Sequence, residues 1–324
     1  VGEPDFETPY FIRDAGIYSL EKGKTFYTSN SGLMELREEI RNYLIRKLNV
    51  EYNPKNEMII TVGGSEGIDI ALRAMLDKDD EVLIPQPSYV SYEPCTILAG
   101  GKPVIIELKA EDGFKLKASQ ILEKITDKTK ILILPFPNNP TGSILNIEEL
   151  KEIAKVCIKK DLYVISDEIY CELTYEGEHA SIVQIEGMKE RTVLINGFSK
   201  SYAMTGWRLG YATGPKEIIA QMTKIHQYAI MCAPTTSQYA AIEALMHGDA
   251  DVARMRESYN QRRRYLLYRF EEIGMTCFEP QGAFYVFPSI KKFNMSSEEF
   301  ATRLLEEQKI AIVPGTAFGE SGEG

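Results

Sequence analysis

Two patterns of hydrophobic and polar positions alternate along the first two thirds of this 324-residue chain. Short apolar runs typical of buried strands are followed by segments in which apolar residues recur every three or four positions, as on one face of a helix. Strands are predicted at 58–62, 81–84, 103–107, 131–134, 163–166, 193–195 and 209–212. Helices are predicted at 33–48, 63–76, 147–157, 216–230, 236–246 and 250–272. Residues 1–30 show no strong periodicity and are predicted to form an extended arm with turns.

Strands that alternate with helices are typical of an α/β fold. We therefore predict a mostly parallel, doubly wound sheet flanked by helices on both faces. Beyond Pro215 the pattern changes to consecutive helices, then strands at 283–287 and 310–313 around a helix at 297–308. This part is predicted to be a smaller α+β C-terminal domain. The expected boundaries are 1–26 for an N-terminal arm or small-domain segment, 27–265 for the large domain and 266–324 for the small domain, which we expect to be incomplete at its C-terminus.

Composition narrows the class of protein further. The apolar content of 44% is sufficient for a large core, and the net charge of −10 argues against nucleic acid or an anionic membrane as the main partner. No apolar run is long enough for a membrane span, and no signal peptide is visible. Five cysteines without a CxxC spacing indicate reduced thiols and a cytoplasmic protein, and three scattered histidines predict no metal site.

Candidate chemistry gathers where the predicted strands end. In open parallel sheets, ligands bind beyond the carboxyl ends of the strands. A glycine-rich helix start with free N–H groups suits a phosphate, an aromatic residue can stack on a flat ring, and a lysine can form a Schiff base with an aldehyde. These side chains and loops together predict a binding site for a flat, phosphorylated pyridine aldehyde. The residues at these ends are Gly64, Ser65, Glu66, Tyr89, Asn139, Asp167, Tyr170, Ser199, Lys200 and Arg208.

Several longer motifs resemble one enzyme family. They are Gly-Glu-Pro-Asp-Phe at 2–6, Tyr27 before Ser-Gly-Leu-Met-Glu-Leu-Arg at 31–37, Pro-Asn-Asn-Pro-Thr-Gly at 137–142, Ser-Asp-Glu-Ile-Tyr at 166–170 and Ser-Lys-Ser-Tyr-Ala-Met-Thr-Gly-Trp-Arg at 199–208. Over its whole length the chain resembles the class I pyridoxal-phosphate aminotransferases of fold type I. Within that family it is most similar to the bacterial aspartate and aromatic aminotransferases.

This resemblance implies roles for the residues around the cofactor ring. Lys200 would be the Schiff-base lysine and then the general base that moves the substrate proton. Asp167 would keep the pyridine nitrogen protonated, and Asn139 and Tyr170 would bond the phenolate oxygen of the ring. Tyr89 would stack on the ring. Lys200, Asp167 and Tyr170 are therefore the expected catalytic residues.

The resemblance also implies how the phosphate, the substrate and a second subunit are bound. The phosphate ligands would be backbone groups of Gly64, Ser65 and Glu66, the hydroxyl of Ser199, and Arg208. Tyr27 would reach the phosphate of the neighbouring subunit, so a homodimer is expected. Gly2 and Asn139 would lie near the substrate. The implied reaction moves an amino group from an aromatic, aspartate or neutral L-amino acid to a 2-oxo acid such as 2-oxoglutarate, by ping-pong chemistry.

The chain departs from the family pattern in two places. The arginine that grips the substrate carboxylate normally follows a segment like 313–319, so we expect it to lie beyond residue 324 in a sequence truncated at both ends. Some relatives specific for dicarboxylates carry a lysine in the Gly-Gly-x-x segment, where this chain has Ser65 and Glu66. This difference weakens a strict preference for aspartate.

Two alternatives remain at this stage. A carbon–sulfur lyase could use the same fold and cofactor, because the fold does not determine the reaction. The segment Gly63-Gly64-Ser65-Glu66-Gly67 also fits the G-x-S-x-G pattern of α/β-hydrolases, with Ser65 as nucleophile and Asp167 as triad acid. The hydrolase interpretation lacks a convincing histidine, since His179 is predicted to be solvent-exposed in a polar loop.

Overall fold

The computed structural model describes residues 2–324, and its centre is a seven-stranded sheet with the strand order β1-β7-β6-β5-β4-β2-β3. All strands predicted before Pro215 are present, with small shifts at their ends. The strands are β1 (Met58–Thr61), β2 (Glu81–Gln86), β3 (Lys102–Glu107), β4 (Thr129–Leu134), β5 (Tyr163–Asp167), β6 (Thr192–Gly197) and β7 (Gly210–Thr213).

One strand runs against the direction of the others. β7 lies between β1 and β6 and pairs antiparallel with both, whereas the remaining pairs in the sheet are parallel. The carboxyl ends of β1, β6, β5, β4 and β2 therefore meet at one edge of the sheet, and β7 begins at that edge. The mostly parallel sheet predicted from the sequence is confirmed.

Helices cover both faces of the sheet. Ile68 and Leu72 of α3 and Met222 of α7 pack on one face, and α2, α6 and α8 contribute apolar residues to the core on the other face. Among residues 2–324, no helix combines the length and the apolar character needed to cross a membrane. The helices are α1 (Tyr10–Glu21), α2 (Met34–Leu48), α3 (Gly63–Met75), α4 (Tyr92–Leu98), α5 (Ala118–Lys124), α6 (Ile147–Lys159), α7 (Lys216–Ala229), α8 (Thr235–His247), α9 (Asp249–Glu272) and α10 (Ser297–Gln308).

The N-terminal arm differs from the prediction because it contains a helix, α1. Ile12, Gly16 and Ser19 of α1 are buried, and α1 packs against α8. Ile17 and Leu20 are more than half exposed, at 54% and 53%. The apolar positions of α1 therefore do not form one clean stripe, which explains why the periodicity gave no helical signal.

The strands predicted at 283–287 and 310–313 are not formed. In the described part of the chain, this region contributes only two isolated bridges, Thr174 with Gly282 and Cys277 with Pro288. A strand needs a neighbour that accepts and donates backbone hydrogen bonds along its length. No described segment runs beside 310–313, where Ile310 and Val313 are 53% and 56% exposed. The predicted domain boundaries stay a prediction.

The start of β7 packs against the loop that opens α3, with no space for a side chain. A Cβ atom on Gly210 would lie 2.7 Å from the carbonyl carbon of Gly63 and 2.8 Å from the backbone nitrogen of Gly64. We expect Gly210→Ala to lower the free energy of unfolding by about 1–3 kcal/mol, as overpacking does when the neighbouring atoms are backbone. Denaturant unfolding measures this change.

Gly206→Ala is the matched control, because no described atom lies within 4 Å of a Cβ placed there. It should change the free energy of unfolding by less than about 0.5 kcal/mol, as surface substitutions usually do. Equal stability of the two variants would contradict the predicted steric clash.

Candidate active site

A helix start and an arginine meet at the carboxyl end of β1. α3 begins at Gly63, whose φ of +79° favours glycine. A Cβ atom at Gly63 would lie 2.7 Å from Nη2 of Arg208, so the guanidinium rests directly against this turn. Arg208 Nη1 also donates to the carbonyl of Thr205 at 3.1 Å. Free N–H groups, the positive end of the helix and a guanidinium together can bind a phosphate.

Lys200 lies just beyond β6, half-buried at the same edge. Its Nζ donates to the backbone carbonyl of Gly2 at 2.6 Å. Burial lowers the pKa of the Lys200 amine, and the positive charge of Arg208 lowers it further, whereas Glu3 and Asp167 act in the opposite direction. A lowered pKa increases the fraction of neutral, nucleophilic amine near neutral pH.

Asp167 ends β5 with a buried carboxylate. Oδ2 accepts a hydrogen bond from the hydroxyl of Tyr92 at 2.7 Å, and Oδ1 accepts one from the backbone N–H of Ile169 at 3.1 Å. Burial raises the pKa of this carboxyl, and the two hydrogen bonds oppose that shift. A cationic partner nearby would favour the ionised form of such a group.

Tyr170 and Tyr285 form a pair of hydroxyls 2.6 Å apart beside the lysine. The Lys200 Nζ lies 6.0 Å from the centre of the Tyr170 ring and 5.4 Å from that of Phe284. Burial raises the pKa of Tyr170 and raises that of Tyr285 to about 12, so both phenols are protonated at neutral pH. One phenol can donate to the other while the second keeps its proton for a ligand.

Two further side chains have free capacity for a ligand. The Oδ1 atom of Asn139 is buried and has no hydrogen-bond partner within residues 2–324. Buried polar atoms are nearly always hydrogen-bonded, so this atom needs a partner from outside the described chain. Tyr89 is partly buried, and its hydroxyl lies 3.1 Å from Oγ of Ser65. The site fits the phosphorylated pyridine aldehyde predicted from the sequence. It combines an unpartnered amide oxygen, a buried carboxylate, a lysine of lowered pKa and a phosphate cradle, which is the start of α3 with Arg208 beside it.

The remaining predicted residues divide into two groups. Ser199 is buried beside Lys200, and Gly2 contacts both Lys200 and the Tyr285 side chain, so both belong to this edge. Tyr27 does not: its side chain is 80% exposed and makes no hydrogen bond within the described residues. Its neighbour Phe26 accepts a hydrogen bond from Thr235 at 2.8 Å through its backbone carbonyl.

The histidines do not form a hydrolase triad. Ser65 Oγ is bonded to Tyr89 rather than to any histidine of the described chain. The prediction that His179 is solvent-exposed is wrong: its side chain is only 14% exposed, and Nε2 lies 2.7 Å from Oε2 of the buried Glu168. Within residues 2–324, no cluster of histidine, cysteine, aspartate or glutamate is arranged to hold a metal ion.

Sequence reasoning missed Tyr92 and Tyr285. Tyr92 begins α4 three residues after Tyr89, and the two rings are 5.6 Å apart edge to face, so its closeness to Tyr89 in the chain could have revealed it. Tyr285 had no comparable signal. It lies in an aromatic run that the pattern assigned to a strand, far from Tyr170 in the chain.

Comparison with known proteins agrees with this geometry. A family model described as aminotransferase class I and II matches residues 1–324. YugH of Bacillus subtilis, whose name assigns it provisionally as an aminotransferase, is 52% identical over 324 residues, covering 100% of this chain and 84% of its own length. The aspartate aminotransferase of Pyrococcus abyssi is 45% identical over 327 residues, with coverages of 100% and 84%.

A solved structure supports the same assignment. The aromatic aminotransferase from Pyrococcus horikoshii OT3 superposes with a TM-score of 0.98 at 44% identity, over 100% of this chain and 88% of that one. The predicted family, fold class and enzyme type are therefore confirmed. On these grounds this chain belongs to the class I and II aminotransferases, and it is an enzyme that transfers amino groups.

Proposed function

We propose that this aminotransferase uses pyridoxal 5′-phosphate, held at the carboxyl edge of the sheet. When bound, this cofactor supplies an aldehyde that condenses with amines and a ring that accepts electrons. One observation carries the proposal: the half-buried Lys200 amine, with its lowered pKa, lies at the same edge as the buried carboxylate of Asp167 and the guanidinium of Arg208. Such an amine, acid and phosphate anchor are the groups this cofactor needs.

The phosphate would be held at the start of α3. Backbone N–H groups of Gly64, Ser65 and Glu66 are the proposed donors, because the first N–H groups of a helix have no partner within it. Arg208, which rests against Gly63, supplies a full positive charge, and Ser199 supplies a hydroxyl. The contact between Arg208 and Gly63 supports this arrangement.

The ring would lie between Tyr89 and the residues that follow β4 and β5. Asp167 would hold a proton on the ring nitrogen, because its negative charge stabilises a cation there. Asn139 and Tyr170 would bond the oxygen on the ring. The NH₂ group of Asn139 would be the donor to that oxygen, and the unpartnered Oδ1 acceptor supports a ligand beside this amide.

Lys200 would move the substrate proton. Its neutral amine would accept the proton from the carbon that bears the amino group and return it to the cofactor carbon on the other side of the nitrogen, as a general base and then a general acid. Burial and Arg208 both favour the neutral form that is needed to begin. The carbonyl of Gly2, 2.6 Å from Nζ, orients the amine.

The proposed substrates are an L-amino acid with an aromatic, aspartate or neutral side chain and a 2-oxo acid such as 2-oxoglutarate. The names of the two Pyrococcus proteins, an aspartate and an aromatic aminotransferase, support this range. Gly2 and Asn139 would lie near the substrate. Phe284 and Tyr285, packed edge to face against Tyr170, provide an aromatic wall that suits an aromatic side chain.

A homodimer is proposed as the active unit, with Tyr27 reaching the neighbouring site. Phe26 and Tyr27 are each 80% exposed and Tyr228 is 85% exposed, and exposed aromatic residues of this size are typical of interfaces.

We also propose a cytoplasmic location, which the five unpaired cysteines support. The division into an N-terminal segment, a large and a small domain is proposed with the boundaries predicted from the sequence.

A half-reaction screen tests the function most directly. Holoenzyme is mixed with each amino acid in turn, and the absorbance of the bound cofactor, the 2-oxo acid formed and any released ammonia or sulfide are measured. A 2-oxo acid without ammonia or sulfide is expected. Release of ammonia or sulfide would instead indicate the carbon–sulfur lyase. A colourless protein that takes up no pyridoxal 5′-phosphate would overturn the proposal.

Lys200→Ala should retain cofactor binding but lose turnover by several orders of magnitude, because it removes the covalent catalyst and the proton carrier together. Steady-state rates measure the turnover of the variant. In the original protein, borohydride reduction followed by mass analysis shows whether a pyridoxyl group is attached to Lys200. Lys224→Ala is the control, because Lys224 lies on α7 and bonds only Gln221 there. Near-normal turnover of Lys200→Ala would refute the assigned role.

Tyr285→Phe should weaken the hydrogen bond that Tyr170 makes to the cofactor, because the hydroxyl partner 2.6 Å away is lost. We expect kcat to fall roughly 3- to 10-fold, as for one hydrogen bond. The pH midpoint of the absorbance change of the bound cofactor should rise, because the negative ring oxygen is stabilised less. Tyr268→Phe, whose hydroxyl bonds only Glu272 on an exposed helix face, should change neither quantity. An unchanged midpoint in Tyr285→Phe would contradict this role.

A further inference from the structure

A buried histidine contacts the first turn of the helix that forms the phosphate cradle. Nδ1 of His226 lies 2.6 Å from Oε1 of Glu66, and the histidine side chain is fully buried while that of Glu66 is 10% exposed. The other carboxylate oxygen of Glu66, Oε2, accepts a hydrogen bond from the backbone N–H of Val62. The carboxylate of Glu66 is thus held on the side of α3 that faces α7.

His226 occupies a position that its helix otherwise fills with apolar residues. Ile219 and Met222 are buried on the same face of α7, two turns and one turn earlier. A histidine there costs desolvation of two ring nitrogens, which an apolar residue would avoid. Nε2 has no hydrogen-bond partner within residues 2–324, so the only polar contact of the ring is the one to Glu66. The contact with Glu66 is therefore the feature that distinguishes this histidine from an ordinary core residue.

Glu66 poses an electrostatic difficulty for the phosphate cradle. A carboxylate in the first turn of a helix is attracted by the same free N–H groups and the same helix dipole that attract a phosphate. If its side chain turned toward those groups, it would occupy the place of the phosphate and repel it. The N–H of Val62, one residue before α3, and the N–H of His226 on α7 occupy both oxygens of the carboxylate, which therefore does not compete for the N–H groups of Gly64 and Ser65.

We propose that His226 is a positioning residue for the phosphate of the cofactor. Its Nδ1–H donates to Glu66 and holds the carboxylate on the side of α3 that faces α7, away from the N–H groups of Gly64, Ser65 and Glu66. The inference rests on the proposed function, because it takes the start of α3 to be the phosphate site. His226 acts through Glu66 and touches neither cofactor nor substrate.

Binding of pyridoxal 5′-phosphate and of pyridoxal, which lacks the phosphate, tests this role. The dissociation constants of both compounds are measured by absorbance titration of the full chain after removal of bound cofactor. In His226→Leu, we expect the affinity for pyridoxal 5′-phosphate to fall roughly 10- to 100-fold, the size of one hydrogen bond to a charged group. The affinity for pyridoxal should change by less than about threefold, since the ring contacts remain. A general structural defect would weaken both compounds equally.

A rescuing variant and a double variant test whether the effect depends on the contact between His226 and Glu66. His226→Asn keeps an N–H donor near the position of Nδ1 and should recover most of the lost affinity. Glu66→Gln removes the negative charge, so adding His226→Leu to that variant should cost much less than it does in the original protein. The control is His247→Leu, because His247 lies 3.7 Å from Glu243 but is 59% exposed on α8. This control should leave both affinities unchanged.

Two results would contradict either the phosphate site or the role of His226. An original protein that binds pyridoxal as tightly as pyridoxal 5′-phosphate would overturn the proposed phosphate site itself. A preference for the phosphorylated compound that His226→Leu leaves within twofold of the original would overturn the role of His226 alone. If His226→Leu does not fold, the affinities for pyridoxal 5′-phosphate and pyridoxal are compared in His226→Asn and Glu66→Gln instead. Loss of the preference in His226→Asn, with the preference intact in Glu66→Gln, would also contradict the inference.

Discussion

The close contact between β7 and the loop that opens α3 is the constraint on which the site depends. β7 enters the sheet antiparallel between β1 and β6, and only glycine at position 210 lets it approach the backbone of Gly63 and Gly64. Because Arg208 lies two residues before β7, this approach also brings its guanidinium to the helix start. The amine and the acid then follow on neighbouring parallel strands, whose spacing of about 4.8 Å is set by their hydrogen bonds.

The same edge contains several buried carboxylates, each with its own donors. Asp167 is bonded to Tyr92, and Glu66 to His226. Glu168 accepts hydrogen bonds from the hydroxyls of Ser166 and Ser181 and lies within bonding distance of His179. An unpaired charge at these depths would cost about 3–5 kcal/mol, so the donors stabilise the folded state. They also fix the orientation of each carboxylate before any ligand binds, which is the condition for electrostatic catalysis.

The sequence predicted the sheet and the helices around it because those segments have a clear period and short, polar connections. It predicted the residues at the strand ends because parallel strands align their ends by geometry. It failed for α1, whose exposed apolar residues blur the helical stripe, and for the strands at 283–287 and 310–313, where an apolar run has no partner. It also missed Tyr285, because a hydroxyl pair between residues 115 positions apart leaves no local pattern.

The contact between Lys200 and Gly2 has a consequence for the surroundings of the amine. The two residues are 198 positions apart, and Tyr285 joins them from the opposite end of the chain. Closing a loop of this length loses chain entropy, which the contacts within the sheet and the helices must offset. The position of the amine therefore depends on segments from three distant parts of the chain, and a change that loosens any one of them alters the surroundings of Lys200 without touching the lysine itself.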